Sequence, residues 1–486
     1  MQLVTLLMMT SALIARSQTV LSLEEAVNKC VFSTMAVRIQ KKSLEKAMLE
    51  YEVFRKGQLP IISLNFKPIS FSHSQKLLQS YDTGEYFNIN EYSNVSDGEI
   101  LLTQTVRFTG GTLSLGSGIS MLHEFSTRGN NFSSRPFYLK YSQDLFGGRK
   151  GYKLHVKVAE MERQVALRRF CSSVATEQQK ILNLYLAAVS AREMLCFYRI
   201  AVKTDSVLVG YARNRRNLGK ITRYECNEVE LLQLENKLEL ENANMNYSEA
   251  IRLLEQELLV KGIIPDDLHV GVLPQFLVED IVITMMRKNS EKEFYNGLKI
   301  ASKMYELHKT KMCNRFNGNI SFTYGLNQYG KSLRTAYLHP YQRQELTVSL
   351  NIPIFQYGLG KDRVRKGITD YELAILEKEA DDLDVEMLIH KYVLAYNHGM
   401  LLLDFAKQKC DLSARQYEFS KMEFRLGKIT VSELATSFKN CLRAKQGVNS
   451  RLCSLFEIYY KIRNQALYDF VRGESLMDML STTIIH

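Results

Sequence analysis

Two glutamates sit at matching places in a phrase the chain uses twice: Leu218-Gly219-Lys220-Ile221-Thr222-Arg223-Tyr224-Glu225 returns as Leu426-Gly427-Lys428-Ile429-Thr430-Val431-Ser432-Glu433, 208 positions later (426 − 218). A Glu three residues after a Thr closes a capping box, in which the hydroxyl takes one free helix N–H and the carboxylate takes another. The preceding Gly suits the left-handed residue that ends a helix. Each phrase therefore reads as a tight turn between two helices, and Glu225 and Glu433 have a local task before any other is assigned. The remaining reactive residue types are not arranged for catalysis. The nine histidines form no His-Glu-x-x-His, no Gly-x-Ser-x-Gly occurs, and no carboxylate pair stands apart from helical charge patterns. Gly358-Leu359-Gly360-Lys361 lacks the spacing of a phosphate-binding loop and reads as a strand-to-helix turn. Eight cysteines (Cys30, Cys171, Cys196, Cys226, Cys313, Cys410, Cys441 and Cys453) include no Cys-x-x-Cys and no Cys/His cluster. They read as small buried hydrophobes with free thiols, although Cys410 and Cys441 flank the second turn, where they could face one another. No metal, cofactor or enzymatic activity is expected.

The elements that carry these turns must be long. With 486 residues, only 7 Pro and no Gly/Ser-rich linker, the chain reads as one continuous, repetitive architecture. Its net charge of +11 is spread among acids along helical stretches such as Glu160 to Arg169, which argues against nucleic acid as a partner. Residues 1–17 read as a secretory signal: an apolar run from Leu3 to Ala15, broken only by Thr5, Thr10 and Ser11, leads to Ala15-Arg16-Ser17 and a cut before Gln18. No Cys follows directly, so no lipid anchor is expected. Downstream, no stretch reads as the roughly 20 apolar residues of a spanning helix, so a membrane crossing must use strands.

Two structural repeats follow, 18–265 and 266–472, with a tail at 473–486. Each opens with an amphipathic helical stretch, Leu23 to Arg55 and Gln275 to Arg315, acidic near its start. The period then switches to two. Ile62, Leu64 and Phe66 alternate with Ser63, Asn65 and Lys67; Ile320, Phe322, Tyr324 and Leu326 do the same in the second repeat. After a polar loop the chain returns through Phe137, Leu139 and Tyr141 against Lys140 and Ser142, and through Leu346, Val348, Leu350 and Ile352 against Ser349 and Asn351. Strands are thus expected within 60–72 and 98–146, and at 318–328 and 344–355. A further pair, Ile100 to Phe108 and Thr112 to Met121, turns at Thr109-Gly110-Gly111 and makes the count four or six strands, depending on whether it joins the others. Helices of about sixty residues, roughly 90 Å at 1.5 Å per residue, then run to each turn. Beyond the second turn Val431, Leu434, Phe438, Cys441, Lys445, Val448, Leu452, Leu455, Tyr459 and Ile462 form a seam of alternating threes and fours. A looser seam, Leu373, Leu376, Ala380, Leu383, Met387, His390 and Leu394, lies before the turn; the hairpin helices are expected to pack along these seams, but a four-helix unit this long has little interior of its own and calls for neighbouring chains.

Helix, strand, loop, strand, long helix, turn, helix, given twice, resembles the TolC-like outer-membrane efflux proteins. The carriers are Leu21-Ser22-Leu23-Glu24-Glu25-Ala26-Val27, Leu59-Pro60, Leu145-Phe146-Gly147-Gly148 and the two Leu-Gly-Lys-Ile-Thr turns, and they span essentially the whole mature chain. The resemblance implies an α+β membrane protein, internally duplicated, whose long antiparallel coiled-coil hairpins form a periplasmic tunnel and whose strands contribute to a trimeric transmembrane β-barrel. It implies a homotrimer working as the exit duct of a tripartite efflux pump or type I secretion system, with a periplasmic adaptor, an inner-membrane pump and outer-membrane lipid as partners. Leu218, Gly219, Lys220, Ile221, Thr222, Leu426, Gly427, Lys428, Ile429 and Thr430 would be adaptor-docking tips. Glu225 and Glu433 would match acidic entrance residues, whereas a second acidic position is Thr436 and a tip arginine is replaced by Ile429. Ser63, Asn65, Lys67, Lys140, Ser142, Ser349 and Asn351 would line a water-filled lumen. The other reading of the same pattern is a non-transporting coiled-coil scaffold with a small soluble sheet.

Overall fold

The computed structural model describes residues 19–28, 30–79, 84–125, 129–267, 273–314, 317–352 and 354–479. The expected signal segment 1–17 and the end of the tail lie outside them. In the first repeat, β1 (Thr19–Leu21) leads into α1 (Leu23–Asn28), a 3-10 turn at Cys30–Ser33 and α2 (Met35–Lys56). Five strands follow: β2 (Ile61–Lys67), β3 (Phe71–Gln79), β4 (Tyr86–Thr105), β5 (Thr112–Glu124) and β6 (Gly129–Asp144). The chain then forms α3 (Gly148–Asn217), α4 (Arg223–Leu258) and β7 (Ile263–Pro265). The second repeat gives α5 (Glu279–Asn289), α6 (Glu291–Asn314), β8 (Asn317–Gly330), the single turn α7 (Thr335–Leu338), β9 (Tyr341–Asn351), α8 (Leu359–Leu426) and α9 (Val431–Ala466), then β10 (Tyr468–Asp469) and β11 (Glu474–Ser475). Each expected amphipathic opening helix is thus two helices, interrupted at the 3-10 turn in one repeat and at Ser290 in the other.

Two compact units emerge, and each draws on both repeats. One comprises residues 46–165 and 294–379, the other the remaining segments, 1–45, 166–293 and 380–486.

The first unit is built on one antiparallel sheet in the order β2-β4-β5-β6-β8-β9, with β3 also paired to β4. The inserted pair therefore joins the sheet and gives six strand positions. The polar stretch expected as a loop after β2 is instead β3 and the first half of β4, in register from Phe71 opposite Asn94 to Gln79 opposite Tyr86. Alternation fixes the two faces, because residues directly opposite one another share a face. Ser63 pairs with Leu101, Leu101 with Gly116 and Gly116 with Tyr138, while Lys140 pairs with Thr323 and Thr323 with Glu345. Following the register, Ser63, Asn65, Lys67, Lys140, Ser142, Ser349 and Asn351 all fall on one face. The opposite face carries Ile62, Leu64, Phe66, Ile100, Leu102, Leu115, Leu139, Tyr141, Phe322, Leu346 and Val348. The register shifts in both ladders of β6 around Pro136, between Gly116 and Gly118 opposite β5 and between Ser134 and Phe137 opposite β8, where a residue without an N–H cannot serve the ladder.

In the second unit, α4 and α9 pack as long hairpins with α3 from Ala166 onward and α8 from Ala380 onward. The seam read from the sequence on α9 is its core: Leu434, Leu455 and Ile462 are each 1% exposed, and only Lys445 points outward. The looser seam on α8 behaves differently. Leu373, Leu376, Leu383, Met387 and Leu394 are 53–65% exposed, Ala380 is exposed, and His390 reaches out to Glu279 at 3.0 Å. The helix packs instead through Ala374, Ile389, Val393, Tyr396 and Leu403, and its uncovered stripe continues through Leu401, Phe405, Leu412, Phe419 and Met422. A heptad pattern identifies an apolar face but not what covers it. An 18-residue window of α3 is apolar enough, by length and composition, to cross a membrane, yet 44% of it is buried inside the protein. Cys171, Cys196, Cys226, Cys313, Cys410, Cys441 and Cys453 are free thiols; Cys171, Cys226 and Cys441 are buried as expected, while Cys196 and Cys313 are exposed.

The ends of the repeats are tied together inside this unit. β1 and β7 pair in parallel, and Tyr185 donates from its hydroxyl to the Leu21 carbonyl at 2.9 Å. Arg463, 2% exposed, donates to Asp469 at 3.1 Å and to Gln178 at 2.9 Å, while Tyr459 donates to the same carboxylate at 3.0 Å. Burial pushes the Asp469 carboxyl up, but Arg463 and the hydrogen bonds from Tyr459, Val471 and Arg472 outweigh it and hold the carboxyl below its ordinary value. Because the folded value is depressed, this stabilisation is complete above the unfolded value of 3.8 and is lost as pH falls through the folded one. Removing one partner of a buried ion pair costs about 3–5 kcal/mol because the other charge stays buried. Arg463→Ala should therefore lower the thermal midpoint at neutral pH, and Arg463→Ala with Asp469→Asn should recover much of the loss; equal midpoints for the two variants would contradict the pairing.

Candidate docking tips and polar sheet face

Both repeated phrases fold as read, and they lie side by side. At the first tip the Gly219 N–H meets the Arg216 carbonyl at 2.9 Å and the Lys220 N–H meets the Arg215 carbonyl at 2.9 Å; at the second, Gly427 bonds Phe424 and Lys428 bonds Glu423, each at 3.0 Å. This is the Schellman pattern, which needs a left-handed residue at the glycine, and φ is +68° at Gly219 and +81° at Gly427. Each capping box is complete. The Glu225 N–H donates to the Thr222 hydroxyl at 3.2 Å and Thr222 N–H donates back to Glu225 at 2.8 Å, while the Thr430 and Glu433 pair repeats this at 3.3 and 2.8 Å. Backbone hydrogen bonds from the two threonines, helped by their hydroxyls, hold both carboxyls below the ordinary range. Both glutamates are thus ionised and committed to their helix starts.

The four apolar tip residues divide into two kinds. Ile221 and Ile429 pack against a core of Leu208, Val209, Ala212, Cys226, Val229, Phe424, Val431 and Leu434. Leu218 and Leu426 are 69% and 72% exposed, as is Tyr224 at 72%. Thr436 bonds back to the Ser432 carbonyl at 2.8 Å within its own helix. The sequence reading missed the charge around the tips. Positions 211–225 hold five basic residues against Glu225, and 421–433 hold three against Glu423 and Glu433, so the surroundings of the two glutamates are basic. It also missed Arg215, which crosses from the first tip to donate to the Phe424 carbonyl of the second at 3.0 Å and lies over Gly427. Deeper in the hairpins Asp205, 2% exposed, accepts from Asn236 at 2.7 Å, and burial pushes its carboxyl up.

The seven polar strand residues expected along a lumen share one sheet face, with Ser142 donating to Asn319 at 3.1 Å and Ser63 to the Leu101 carbonyl at 3.3 Å. That face can hold water along the strands. The other offers apolar side chains at the same positions: Ile62, Leu64 and Phe66 are 69–71% exposed. Among the described residues no group of three or more His, Cys, Asp or Glu side chains is placed to hold a metal ion.

The glycines make the tips unequal. A Cβ at Gly219 would meet nothing within 4 Å, whereas one at Gly427 would overlap the Arg215 guanidinium. Gly219→Ala should cost only the left-handed backbone, about 1–2 kcal/mol. Gly427→Ala should cost more, because it also displaces the cross-tip hydrogen bond; equal drops in the thermal midpoint would refute this. Thr222→Ala and Thr430→Ala should each cost about 1 kcal/mol and speed amide exchange at Glu225 and Glu433 respectively.

No protein-family model and no curated protein sequence matches the chain. Solved structures do. The Campylobacter jejuni CmeC outer membrane channel is similar at 13% identity and a TM-score of 0.64, over 95% of this chain and 89% of that one. The open state of the Neisseria gonorrhoeae MtrE outer membrane channel is similar at 13% and 0.58, over 92% and 88%, and the Vibrio cholerae outer membrane protein VceC at 10% and 0.59, over 93% and 96%. Over more than nine-tenths of its length, therefore, the chain has the fold of the TolC-like outer-membrane channels.

Proposed function

We propose that the chain is one protomer of a homotrimeric outer-membrane channel, a non-enzymatic exit duct for substrates handed on by an inner-membrane pump through a periplasmic adaptor. The observation that carries this reading is a sheet open at both edges whose one face is apolar and exposed. β2 and β9 have no strand beyond them among the described residues. In hydrocarbon an unpaired strand edge leaves N–H and C=O groups without partners, so only a closed barrel is tolerated. All neighbouring strands in the sheet are antiparallel, and the six positions alternate in direction, so β9 of one copy meets β2 of the next antiparallel. Three copies would close an even-numbered ring of eighteen positions. Ser63, Lys140 and Ser349, with the other residues of their face, would then line the lumen.

The uncovered stripe on α8 supports the same assembly. Apolar residues at heptad spacing from Leu373 to Met422 exceed what a monomer leaves to water, and a neighbouring copy supplies the cover. Leu218 and Leu426, exposed at the tips, are the apolar contacts we assign to the adaptor, with Gly219, Lys220, Gly427 and Lys428 shaping the turns. The repeats divide at 265/266 in this reading, and residues 1–17 are removed on export.

After export to the outer membrane, cysteines placed on β2 and on β9, with Cys196 and Cys313 replaced by Ser, should crosslink into a trimer that resists SDS until heated. A soluble monomer would favour the coiled-coil scaffold and end the channel reading. Leu218→Ser with Leu426→Ser should leave the trimer intact and reduce adaptor crosslinking and export by at least ten-fold; undiminished export would remove the docking role from these tips.

A further inference from the structure

The sheet-bearing unit concentrates positive charge at one level, where its helices meet its strands. Segments 52–57, 148–157, 307–314 and 359–368 together hold twelve Lys or Arg against two acids, a net +10 beside +11 for the entire chain. Apart from Lys56, which pairs with Glu52 at 2.9 Å, none of these bases makes an ion pair among the described residues. The placement also opposes the helix dipole. α3 and α8 both begin at this level, where the positive helix end disfavours cations, yet Arg149 and Lys150 open α3 with no acid in its first turn. Arg149, Lys153 and Lys157 follow at intervals of four, and all are exposed. Glu52 and Asp362 offset only a small part of this charge.

Its neighbours indicate what offsets the rest. On the strand side lies the exposed apolar sheet face, and between β9 and α8 stand Ile354, Phe355 and Tyr357, exposed at 95%, 73% and 90%. An apolar band, then aromatic residues, then cations is the profile of a surface crossing from hydrocarbon through the interface into the headgroups. A groove of about 360 Å³ opens between the end of α6 and the start of α8 at the same level, where Lys303, Lys309, Arg363 and Lys366 outnumber Glu306 and Asp370.

We propose that this basic collar binds the phosphate headgroups of anionic phospholipids in the leaflet next to the strand ends. The inference rests on the membrane reading above and adds a lipid class to it. The collar would fix how deeply the barrel sits, because each cation draws the helix ends toward the anionic surface.

Purified protein in neutral detergent, examined by native mass spectrometry, should retain phosphatidylglycerol at least ten-fold over phosphatidylcholine, and high salt should erase the preference. Lys309→Gln with Arg363→Gln and Lys366→Gln should weaken phosphatidylglycerol retention by about five-fold per charge removed, from a contribution of about 1 kcal/mol each. Lys220→Gln with Lys428→Gln, at the tips, should leave it unchanged. Equal retention of the two lipids by an otherwise intact oligomer would overturn the collar and leave the channel standing. A protein that enters no bilayer at all would overturn the channel reading, and the collar with it.

Discussion

The hydrogen bonds that the sheet leaves unmade along β2 and β9 govern most of what surrounds them. A strand edge is a row of donors and acceptors that water can satisfy and hydrocarbon cannot. With one face apolar and exposed, the sheet has no stable place as a monomer in either medium: water penalises the face, and lipid penalises the edges. Closure by further copies removes both penalties at once. In the proposed assembly it would also enclose the polar face, giving the alternation of Ser63, Asn65 and Lys67 with Ile62, Leu64 and Phe66 a use that the single chain lacks. The uncovered stripe of α8 makes the same demand at the level of side chains.

How much could be read from the sequence followed from how local the responsible interactions are. The tips were legible down to individual bonds, since a Schellman turn followed by a capping box involves about ten consecutive residues and nothing distant. The seam of α9 was legible because its apolar face is covered by helices of its own chain. The seam of α8 has equally regular spacing but is left uncovered by its own chain, because spacing reports that Leu383 and Leu394 need a partner without saying in which molecule. β3 and the first half of β4 were read as loop, since Ser72, Ser74, Asn88 and Asn94 give no clear two-residue alternation. Their pairing comes from an adjacent strand already in place, a non-local cause. Arg215 could not have been found from its own neighbourhood, because its partner lies 209 residues away.

The acidic residues show how structure reassigns a chemistry that sequence only offers. Glu225 and Glu433 resemble a charged constriction when matched by position, yet both carboxylates are held by backbone N–H groups and stand among arginines and lysines. Their charge is largely spent on starting α4 and α9. The buried carboxylates differ again. Asp469 is ionised and paired with Arg463, whereas Asp205 sits against a neutral amide where desolvation favours its protonated form.

Arg215 gives the two tips a shared mechanics. By reaching across to the Phe424 carbonyl and covering Gly427, it joins two turns that are remote in the chain through a contact at their very ends. A displacement of one tip therefore strains the other directly. Three chains would present six tips but only three independently moving parts.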